Sequence, residues 1–574
     1  MKKEGEVKTM RRKTLVTKVM ALGLAAVLLL GGCSNGTKSN SPGEDGDNKV
    51  TNTPAEGTQT PGDEEPVTLT VAVQMNEKGE YSDANYAIRW IEEQTNVKFE
   101  FVQLPSDSAD ADTKLNLMLS SGDYPDVICY GLNKQKTVKL GMEGTFIPLN
   151  DLYEKYGTNM KELFEDRPQY EANAYAPDGN IYGFPTENEC FHCQAYPKLW
   201  YNTEWLASLG LSEPTTTEEL KNVLIAVKNS DYNGNGKADE IPLTGSPDWD
   251  CQLEWFLMNS FVPIDKTTLS YAKDGKVIFA ADTEEFKQGL EYMHELFELG
   301  LIDPTTFSQS SDQMQQVIRS DSKMVFGYTA DHFAMGINLD DAHMNEVTAA
   351  MVPVEGPNGA RYQLHKDYVD MTSGFNWFIT DKCKNPEAAF KVGDFLMSNE
   401  ASMVQMYGEE NKYWGKLEKP VESILQGTDA IYWIEPGFTS NENDEYNKNT
   451  WWTGLYNQRA EFRAAMSPRP ENIYASDAYE ARLFDETMKV VDYFYPEYLP
   501  KNIFLENSDD SERFATLQTS LQEYVKTAMA QFITGELSLE RNWDSYAATL
   551  KNYDVQTYVQ LYQKAYDEYY NANK

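Results

Sequence analysis

Of the 574 residues of the chain, 50 are Lys or Arg and 90 are Asp or Glu, so the net charge is −40. This acidic balance excludes nucleic acid as an expected partner, because phosphate binding needs a basic footprint. It also argues against electrostatic adhesion to anionic lipid. Aromatic residues make up 12% of the chain, and Tyr is the most frequent of them. Such an excess fits both a large core and a site where sugar rings stack on aromatic faces.

The first residues read as a leader for export. Seven basic residues precede or flank the start of an apolar run at 20–30, and two glycines then lead to Cys33. The run is too short to span a bilayer comfortably, and small residues before the cysteine suit a cleavage site. The segment Leu30-Gly-Gly-Cys33 resembles the lipobox of bacterial lipoproteins, which implies a signal peptide over 1–32 and acylation of Cys33, palmitate included. The alternative is an ordinary secreted protein in which the cysteine falls there by chance.

A polar segment follows the cysteine. Residues 34–66 are almost without apolar side chains and are rich in Gly, Pro, Ser, Thr and Asn. Such a composition cannot bury enough surface to offset the entropy cost of ordering, so 33–66 is predicted to be a flexible linker. The folded body then begins near residue 67, and its length favours two lobes over one small core.

Beyond the linker, strand and helix patterns alternate. The spacing of apolar residues predicts strands at 67–73, 97–102 and 127–130 and helices at 86–95 and 112–120. This β-α-β-α-β order implies a parallel or mixed sheet covered by helices, whose ligand edge lies at the carboxyl ends of the strands. Later segments continue the alternation, with strands at 181–185 and 199–202, helices from 215, over 283–301 and over 385–399, and a chiefly helical part from 477.

Cysteine usage gives little support for a metal or a disulfide framework. Five cysteines besides Cys33 are too few to form a disulfide framework in a folded region of this size. The segment Cys190-Phe-His-Cys193 looks like half of a zinc site, but a structural zinc takes four ligands and no second Cys-x-x-Cys is present. A local disulfide or two buried thiols are the remaining interpretations of Cys190 and Cys193.

Several fragments along the chain resemble one family. They are Glu92-Glu-Gln-Thr-Asn-Val97, Ser121-Gly-Asp-Tyr-Pro-Asp-Val127, Tyr182-Gly-Phe-Pro185, Leu199-Trp-Tyr-Asn-Thr-Glu-Trp-Leu206, Leu296-Phe-Glu-Leu-Gly-Leu-Ile-Asp-Pro304, Cys383-Lys-Asn-Pro-Glu-Ala-Ala389 and Phe532-Ile-Thr-Gly-Glu536 with Trp543-Asp-Ser-Tyr546. In this order they resemble the extracellular solute-binding proteins of bacterial ABC importers, in the large lipoprotein subgroup that handles sugars and oligosaccharides.

The resemblance implies a fold and its boundaries. The fold class is α/β, with two α/β lobes and a hinge, as in the type II periplasmic-binding-protein (Venus-flytrap) architecture. The first lobe is expected to be 67–185 with a return segment at about 352–400. The second lobe is expected to be 186–351 with the mostly helical 401–574. By the same resemblance the chain crosses between lobes near Pro185, Val352 and Ser398.

A loop in the expected second lobe has the spacing of a calcium site. Oxygen-bearing side chains stand at loop positions 1, 3, 5, 9 and 10, and Gly236 stands at position 6, where an EF-hand turns sharply. The predicted ligands are Asp231, Asn233, Asn235, the carbonyl of Lys237, Asp239 and Glu240. Pro242 replaces the bidentate Glu of position 12, so Glu240 would complete the shell. Solute-binding proteins similar to alginate and oligosaccharide binders carry such a variant as a structural Ca²⁺ site; the alternative is an Asn-Gly turn without an ion.

The resemblance also suggests residues that contact the ligand. Glu187 and Glu189 follow the first expected crossing, where a carboxylate of maltose-binding-like proteins accepts hydrogen bonds from sugar hydroxyls. A salt-bridged or exposed glutamate is an equal alternative. Tyr328 and His332 lie where the family puts an aromatic turn over the ligand, although His332 equally fits a satisfied polar neighbour.

Other candidates come from the residue pattern. Aromatic residues in a polar, Asn- and Gly-rich stretch have less core to enter, and those of this chain are Tyr432, Trp433, Trp451 and Trp452. Trp377 lies near the expected return crossing, but burial in a core is the more frequent outcome for such a residue. Asp123, on a turn of the first lobe, has turn capping as its ordinary alternative.

Together these features predict a lipid-anchored solute-binding component of an ABC transporter. It would sit, as a monomer, on the outer face of the cytoplasmic membrane of a Gram-positive cell. There it would capture a carbohydrate by hinge closure and pass it to membrane permease subunits. It would not be an enzyme: the sequence has no Gly-x-Ser-x-Gly, His-Glu-x-x-His or phosphate-loop motif. The alternatives are a lipid-anchored polysaccharide-degrading enzyme, whose two carboxylates no pattern can test, and a peptide receptor of the same fold.

Overall fold

A computed structural model describes residues 65–572, apart from 75–78, 80, 249, 321–323, 372–373, 436–443, 502, 504 and 506. The predicted signal peptide, Cys33 and nearly all of the predicted linker lie outside the described residues. Among the residues described, we find no helix long and apolar enough to cross a lipid bilayer.

Strands and helices alternate through most of the chain. The strands are β1 Val67–Gln74, β2 Val97–Leu104, β3 Val127–Cys129, β4 Phe184–Pro185, β5 Lys198–Asn202, β6 Ile241–Thr244, β7 Ser270–Lys273, β8 Lys276–Phe279, β9 Val325–Ala330, β10 Thr348–Ala350, β11 Phe375–Asn376, β12 Phe378–Ile379, β13 Trp414–Glu422 and β14 Asp429–Ile434. The α-helices are α1 Tyr86–Thr95, α2 Ser108–Ser121, α3 Lys134–Met142, α4 Asn150–Tyr156, α5 Asn159–Asp166, α6 Pro168–Ala174, α7 Thr203–Ser208, α8 Thr217–Lys228, α9 Leu253–Met258, α10 Glu284–Glu298, α11 Ser311–Ile318, α12 Ala342–Val347, α13 Pro386–Leu396, α14 Asn399–Tyr407, α15 Asp444–Asn449, α16 Ala460–Ala465, α17 Tyr479–Met488, α18 Ser508–Thr534, α19 Leu539–Asn552 and α20 Val555–Ala572.

The first sheet has the order β12-β3-β1-β2. Strand β1 pairs in parallel with both β2 and β3, and β12 closes the sheet as an antiparallel edge. The helices between these strands begin where side chains can cap them: Asn85 accepts from the backbone of Ile88, and Asp107 accepts from that of Asp110. The predicted β-α-β-α-β unit and its mixed sheet are therefore confirmed.

The second sheet has the order β10-β5-β9-β6 and is also mixed. Strand β9 pairs in parallel with β6 and antiparallel with β5. The predicted helix start near 215 is observed, since the Thr216 hydroxyl accepts from the backbone of Glu219 while the Glu219 carboxylate accepts from Thr215. Gly300, just beyond α10, has the left-handed φ of +66° that ends a helix without strain in a residue lacking Cβ.

The described residues bury two large hydrophobic cores. The first core takes its side chains from 69–184 and 375–466, around the first sheet. The second takes them from 196–364 and 499–566, around the second sheet and helices α18 to α20. A smaller cluster with Trp200, Tyr328 and Leu483 belongs with the second sheet. The chain passes between the two cores in three segments, which we call the first crossing (185–195), the second crossing (365–374) and the third crossing (467–482).

These boundaries correct two of the expected ones. The first crossing begins near Pro185 as predicted, but the return to the first lobe starts near Phe375 rather than at Val352, and it lasts to Met466 rather than to Ser398. Residues 352–364 stay with the second core because Val354 and Leu364 are buried in it. Residues 401–466 join the first core, where their apolar side chains Met403, Val404, Trp414 and Trp451 are buried. The predicted strand at 181–185 is reduced to β4, which pairs with β11.

Candidate binding cleft

A cleft of about 1660 Å³ is lined by residues of the first-core part of the chain and of the three crossings. The carboxyl end of β1 and the residues after β3 contribute Val73, Gln74 and Tyr130 to its wall. This is the edge at which a parallel sheet offers its ligand site. The crossings contribute Thr186, Glu187, Asn188 and Asp477, and the 401–466 segment contributes most of the rest. The volume exceeds the roughly 300–1,000 Å³ of most small-molecule sites, so the cleft has room for an extended ligand.

Aromatic side chains form much of the wall. Three of the four aromatic residues predicted from the polar stretch, Trp433, Trp451 and Trp452, line the cleft. Trp452 is 49% exposed and packs edge-to-face on Tyr456, with ring centroids 5.4 Å apart. The exposed indole face is a surface on which a flat apolar ligand face can pack.

Trp451 is more deeply set than its neighbour. It is almost fully buried, and its ring lies 5.4 Å from those of both Phe99 and Phe101 on β2. Its Nε1 is buried without a hydrogen-bond partner among the described residues. Because buried donors are normally paired, this N–H is a group that a ligand or a water molecule would satisfy.

Glu187 presents a second unsatisfied group to the cleft. The residue is 5% exposed, and its Oε2 has no hydrogen-bond partner among the described atoms. The Nε of Arg459 lies 3.8 Å from that oxygen, which is within ion-pair range but too long for a hydrogen bond. Burial raises the pKa of Glu187 to about 8, and the charge of Arg459 opposes this shift. The carboxyl is thus a polar group that the protein itself leaves partly unpaired at the wall.

Glu189 lies two residues further on the same crossing but outside the cleft wall. Its carboxylate accepts two hydrogen bonds from Arg167, at 2.7 and 3.0 Å, and a third from the backbone N–H of Ala460 at 2.9 Å. Arg167 also pairs with Glu461 at 2.8 Å. The salt-bridged alternative for Glu189 is therefore the one observed, and its pairing joins the first crossing to α16.

Other predicted ligand contacts lie away from the wall. Tyr328 is buried, and its hydroxyl donates to the carbonyl of Phe333 at 2.7 Å. Trp377 is fully buried in the first core and donates to the carbonyl of Ala389, while Tyr432 packs on Trp414. Their aromatic rings pack in the cores, an outcome that the sequence analysis favoured for Trp377 but not for Tyr328 or Tyr432.

Two polar candidates also lie outside the wall. His332 is partly buried between Asp331, 3.5 Å from its Nε2, and the ring of Tyr479. Asp123 is exposed on the turn after α2, where its backbone N–H bonds Ser121 at 3.4 Å. Asp123 therefore lies on the expected turn, whereas the Nδ1 of His332 is buried without a hydrogen-bond partner among the described residues, so His332 is not a fully satisfied polar neighbour.

The cleft also uses residues that the sequence did not single out. Thr186 and Asn188 flank Glu187, and Gln458 with Arg463 approaches from the 401–466 segment. The run Asn457-Gln-Arg459 inside an aromatic-rich stretch was a usable signal, since amide side chains are common partners of ligand hydroxyls. No local signal marks Arg463, which lies on the short helix α16.

Cys190 and Cys193 form a disulfide on the first crossing, which selects one of the two interpretations left open by the sequence. His192, between them, has its Nδ1 3.4 Å from Oε2 of Glu480 on α17. With both sulfur atoms bonded to each other, the Cys-x-His-Cys group does not offer thiolates to a metal ion.

The loop 231–240 folds around its own oxygen atoms. The carboxylate of Asp231 accepts from the backbone N–H groups of Asn235 and Gly236, both at 3.0 Å. The side chains of Asn233 and Asn235 both reach Oδ1 of Asp239, at 3.4 and 3.1 Å. Gly236 has a φ of +76°, as the sharp turn requires.

Glu240 ends this loop. Its Oε1 accepts from the backbone of Tyr232 at 3.0 Å, while its Oε2 is buried without a partner. An unpaired buried carboxylate oxygen beside a cluster of hard oxygen donors fits a divalent cation such as Ca²⁺.

Comparisons with known proteins agree with this architecture. A family model described as "Bacterial extracellular solute-binding protein" matches residues 76–403. The fructooligosaccharide ABC transporter substrate-binding protein FusA of Streptococcus pneumoniae is 28% identical over 504 residues, which cover 84% of this chain and 87% of FusA. The structure of a FusA EF-hand mutant in complex with fructo-nystose superimposes with a TM-score of 0.68 at 25% identity, covering 88% of this chain and 100% of that chain.

Two proteins of Bacillus subtilis are more distant relatives. Lipoprotein LipO is 24% identical over 63% of this chain and 65% of its own length. The polygalacturonan/rhamnogalacturonan-binding protein YtcQ is 23% identical over 71% of this chain and 80% of its own length. FusA is thus named for a neutral class of saccharide and YtcQ for an acidic class.

Proposed function

The chain belongs to the family of bacterial extracellular solute-binding proteins, and from this premise we propose that it captures an oligosaccharide in the cleft and delivers it to an ABC permease. The observation that carries the proposal is the cleft wall itself. It combines an exposed aromatic face with buried polar atoms that lack partners among the described residues, and it adjoins all three crossings between the cores. FusA, a relative over most of the chain, is named as a fructooligosaccharide-binding protein, which supports the same class of ligand.

Each kind of wall residue has a defined part in binding. The exposed face of Trp452 and the half-buried ring of Trp433 pack on the apolar faces of sugar rings, and the Nε1 of Trp451 donates to a sugar oxygen. The carboxyl of Glu187 bonds a sugar hydroxyl, which can act as donor and as acceptor. Each hydrogen bond between the protein and the sugar replaces a hydrogen bond to water, so its net contribution is small. The sugar that binds best is therefore the one whose hydroxyls match the positions of the wall groups.

Hinge closure follows from the way in which the chain connects the two cores. A ligand held by the first core and the crossings would gain contacts with the second core when the cleft closes, and this difference in affinity shifts the open–closed equilibrium. The three crossings are the backbone segments that would bend. Closure then presents a loaded form to the permease, and no covalent bond of the sugar changes.

The test is a ligand screen followed by product analysis. We expect the thermal midpoint of the purified chain to rise with one or more oligosaccharides and not with peptides, because a ligand at 100 times its Kd stabilises the folded state by about 2.7 kcal/mol. The bound sugar, recovered and analysed by mass spectrometry, should be unchanged. A sugar that is cleaved supports the enzyme alternative, and a peptide that binds in place of sugars supports the peptide receptor.

We propose further that Cys33 is acylated and that its acyl chains hold the protein on the outer face of the cytoplasmic membrane. We also propose that the protein is a monomer there. The sequence Leu30-Gly-Gly-Cys33 supports the acylation, as does the relative named lipoprotein LipO. Labelled palmitate should enter the wild-type protein, and a Cys33→Ser variant should take up none and be released into the medium. Equal membrane retention of both forms would contradict the anchor.

We also propose that the 231–240 loop holds a structural Ca²⁺. Asp231, Asn233, Asn235, Asp239 and Glu240 would supply side-chain oxygens and Lys237 a carbonyl, and the ion would neutralise the clustered carboxylates. The relative FusA has been studied as an EF-hand mutant, which supports a comparable loop there. Chelation should lower the thermal midpoint, and Asp231→Ala should abolish this sensitivity. Asp340→Asn, an exposed change outside the loop, should leave it intact. A midpoint indifferent to calcium in the wild type would contradict the site.

A further inference from the structure

Charged side chains on the described part of the cleft wall are unbalanced. Its carboxyl groups are those of Glu187, Glu435, Asp477 and Glu480, whereas its single guanidinium is that of Arg463, and no described Lys side chain lines it. An anionic ligand is normally met by Arg or Lys donors that carry free charge. The described wall therefore offers an anion more repulsion than attraction.

The guanidinium of Arg463 is also already engaged. Its Nη1 donates to Oε1 of Gln458 at 2.5 Å, and its Nη2 lies 3.7 Å from Oε2 of Glu480. The Glu480 carboxylate offsets the charge of Arg463, so a ligand carboxylate placed there would have to compete with a resident one. Bidentate recognition of an anion needs both donors of one edge of the fork, and one of the two end nitrogens is held by Gln458.

The remaining polar groups of the cleft wall can form hydrogen bonds with the hydroxyl groups of a sugar. Besides Oε2 of Glu187, the Oγ1 of Thr186 and the Nε1 of Trp451 are buried without partners among the described residues. A sugar hydroxyl satisfies a donor or an acceptor with equal ease, whereas a carboxylate only accepts. Because burial raises the pKa of Glu187 to about 8, its carboxyl is largely neutral at neutral pH, and the repulsion of a ligand carboxylate comes from Glu435, Asp477 and Glu480.

We propose that this cleft selects uncharged oligosaccharides and rejects oligosaccharides that carry carboxylates, an inference that rests on the proposed function. The selection works by a built-in repulsion, because the described part of the wall lacks the free cation that an anionic saccharide would need. The fold alone does not decide this point, since one relative is named for fructooligosaccharides and another for polygalacturonan.

The experiment compares each binding sugar with its own oxidised form. Every neutral oligosaccharide that binds the full chain in calorimetry is converted to the uronate by oxidation of its primary alcohols, so that length and linkage stay the same. We expect the oxidised form to bind at least about ten-fold more weakly at low ionic strength, with the difference shrinking as salt is added. An oxidised form that binds as tightly as the neutral one, or binding of uronates alone, would overturn the inference. Absence of binding by any saccharide would overturn the proposed function as well.

A matched pair of variants tests the role of Arg463. Both Glu480→Gln and Glu435→Gln remove one negative charge from the wall, but only the first releases Arg463. We expect Glu480→Gln to strengthen binding of the oxidised sugar by about five-fold relative to the neutral one, and Glu435→Gln to change this ratio by about two-fold or less. Equal effects of the two variants would contradict the assignment of Arg463 as a neutralised cation. Unchanged unfolding midpoints check that both variants are folded.

Discussion

Trp452 on the cleft wall and Trp377 inside the first core show how differently two regions of this molecule use one residue type. Trp377 is fully buried, and its Nε1 donates to Ala389. Trp452 is 49% exposed and holds an aromatic face toward the cleft. The same contrast separates Glu189, whose carboxylate is fully paired, from Glu187, whose Oε2 is not. Polar groups of the interior are hydrogen-bonded within the protein, whereas some polar groups of the cleft wall stay available to a ligand.

The largest effect is expected from the interior tryptophan. Trp377→Ala should lower the free energy of unfolding by about 4 kcal/mol, because it removes a large buried ring and leaves a cavity. Urea unfolding followed by circular dichroism measures the change, with Trp452→Ala as the matched variant, for which a loss below about 0.5 kcal/mol is expected. Equal losses of unfolding free energy for the two variants would contradict the difference between the cleft wall and the interior.

Removal of the salt-bridged carboxylate of Glu189, on the first crossing, should have the second largest effect on stability. Glu189→Gln should cost about 3 kcal/mol of stability, because Arg167 loses the buried one of its two carboxylate partners and keeps only the exposed Glu461. The same urea titration measures it, and Glu162→Gln, which removes an exposed partner of Arg459, serves as control. The prediction fails if the control loses as much stability as the variant.

The effect of Glu187 on the free energy of unfolding should be smaller than that of Glu189, and it should depend on pH. Its pKa is raised to about 8 in the folded chain, whereas an unfolded Glu titrates near 4.3. Between these values the folded state binds more protons, so the contribution of Glu187 to stability is greatest at low pH and falls as the pH rises. Without ligand, the stability of Glu187→Gln relative to the wild type should therefore rise by about 2 kcal/mol between pH 6.5 and pH 8, because one pKa unit corresponds to about 1.36 kcal/mol. A difference that is constant with pH would contradict the raised pKa.

The exposed tryptophan should have the smallest energetic effect, and it should appear in binding. Trp452→Ala should weaken the binding of an oligosaccharide by about ten-fold, which corresponds to about 1.4 kcal/mol, because it removes an aromatic face from the wall. Calorimetric titration measures the change, and Tyr432→Phe, which keeps a buried ring of the same core, should bind as the wild type does. Unchanged affinity of Trp452→Ala would exclude this face from the site.

The sequence predicted the fold more fully than the site. Apolar periodicity located β1, α1 and β2 within one or two residues, since each is decided by local burial on one face. The return crossings were misplaced because the apolar residues of 352–364 and 401–466 fit either core, and only tertiary packing assigns them.

The site candidates show the same limit at the level of single residues. Tyr432 and Trp433 are neighbours in sequence, but they alternate across strand β14, so that one packs in the core and the other lines the cleft. Glu187 and Glu189, two residues apart, would share a face of a regular strand, but the first crossing is irregular there and only Glu187 lines the cleft. Local composition could propose these residues but could not tell which of each pair faces the ligand.

The central claim is that a sugar draws two lobes together without being changed, and small-angle X-ray scattering tests it most directly. With a saturating oligosaccharide already shown to bind by calorimetry, the radius of gyration of the wild-type chain should decrease, and it should stay unchanged when a sugar that does not bind is added at the same concentration. A ligand that saturates the protein while its radius of gyration stays the same would contradict the account.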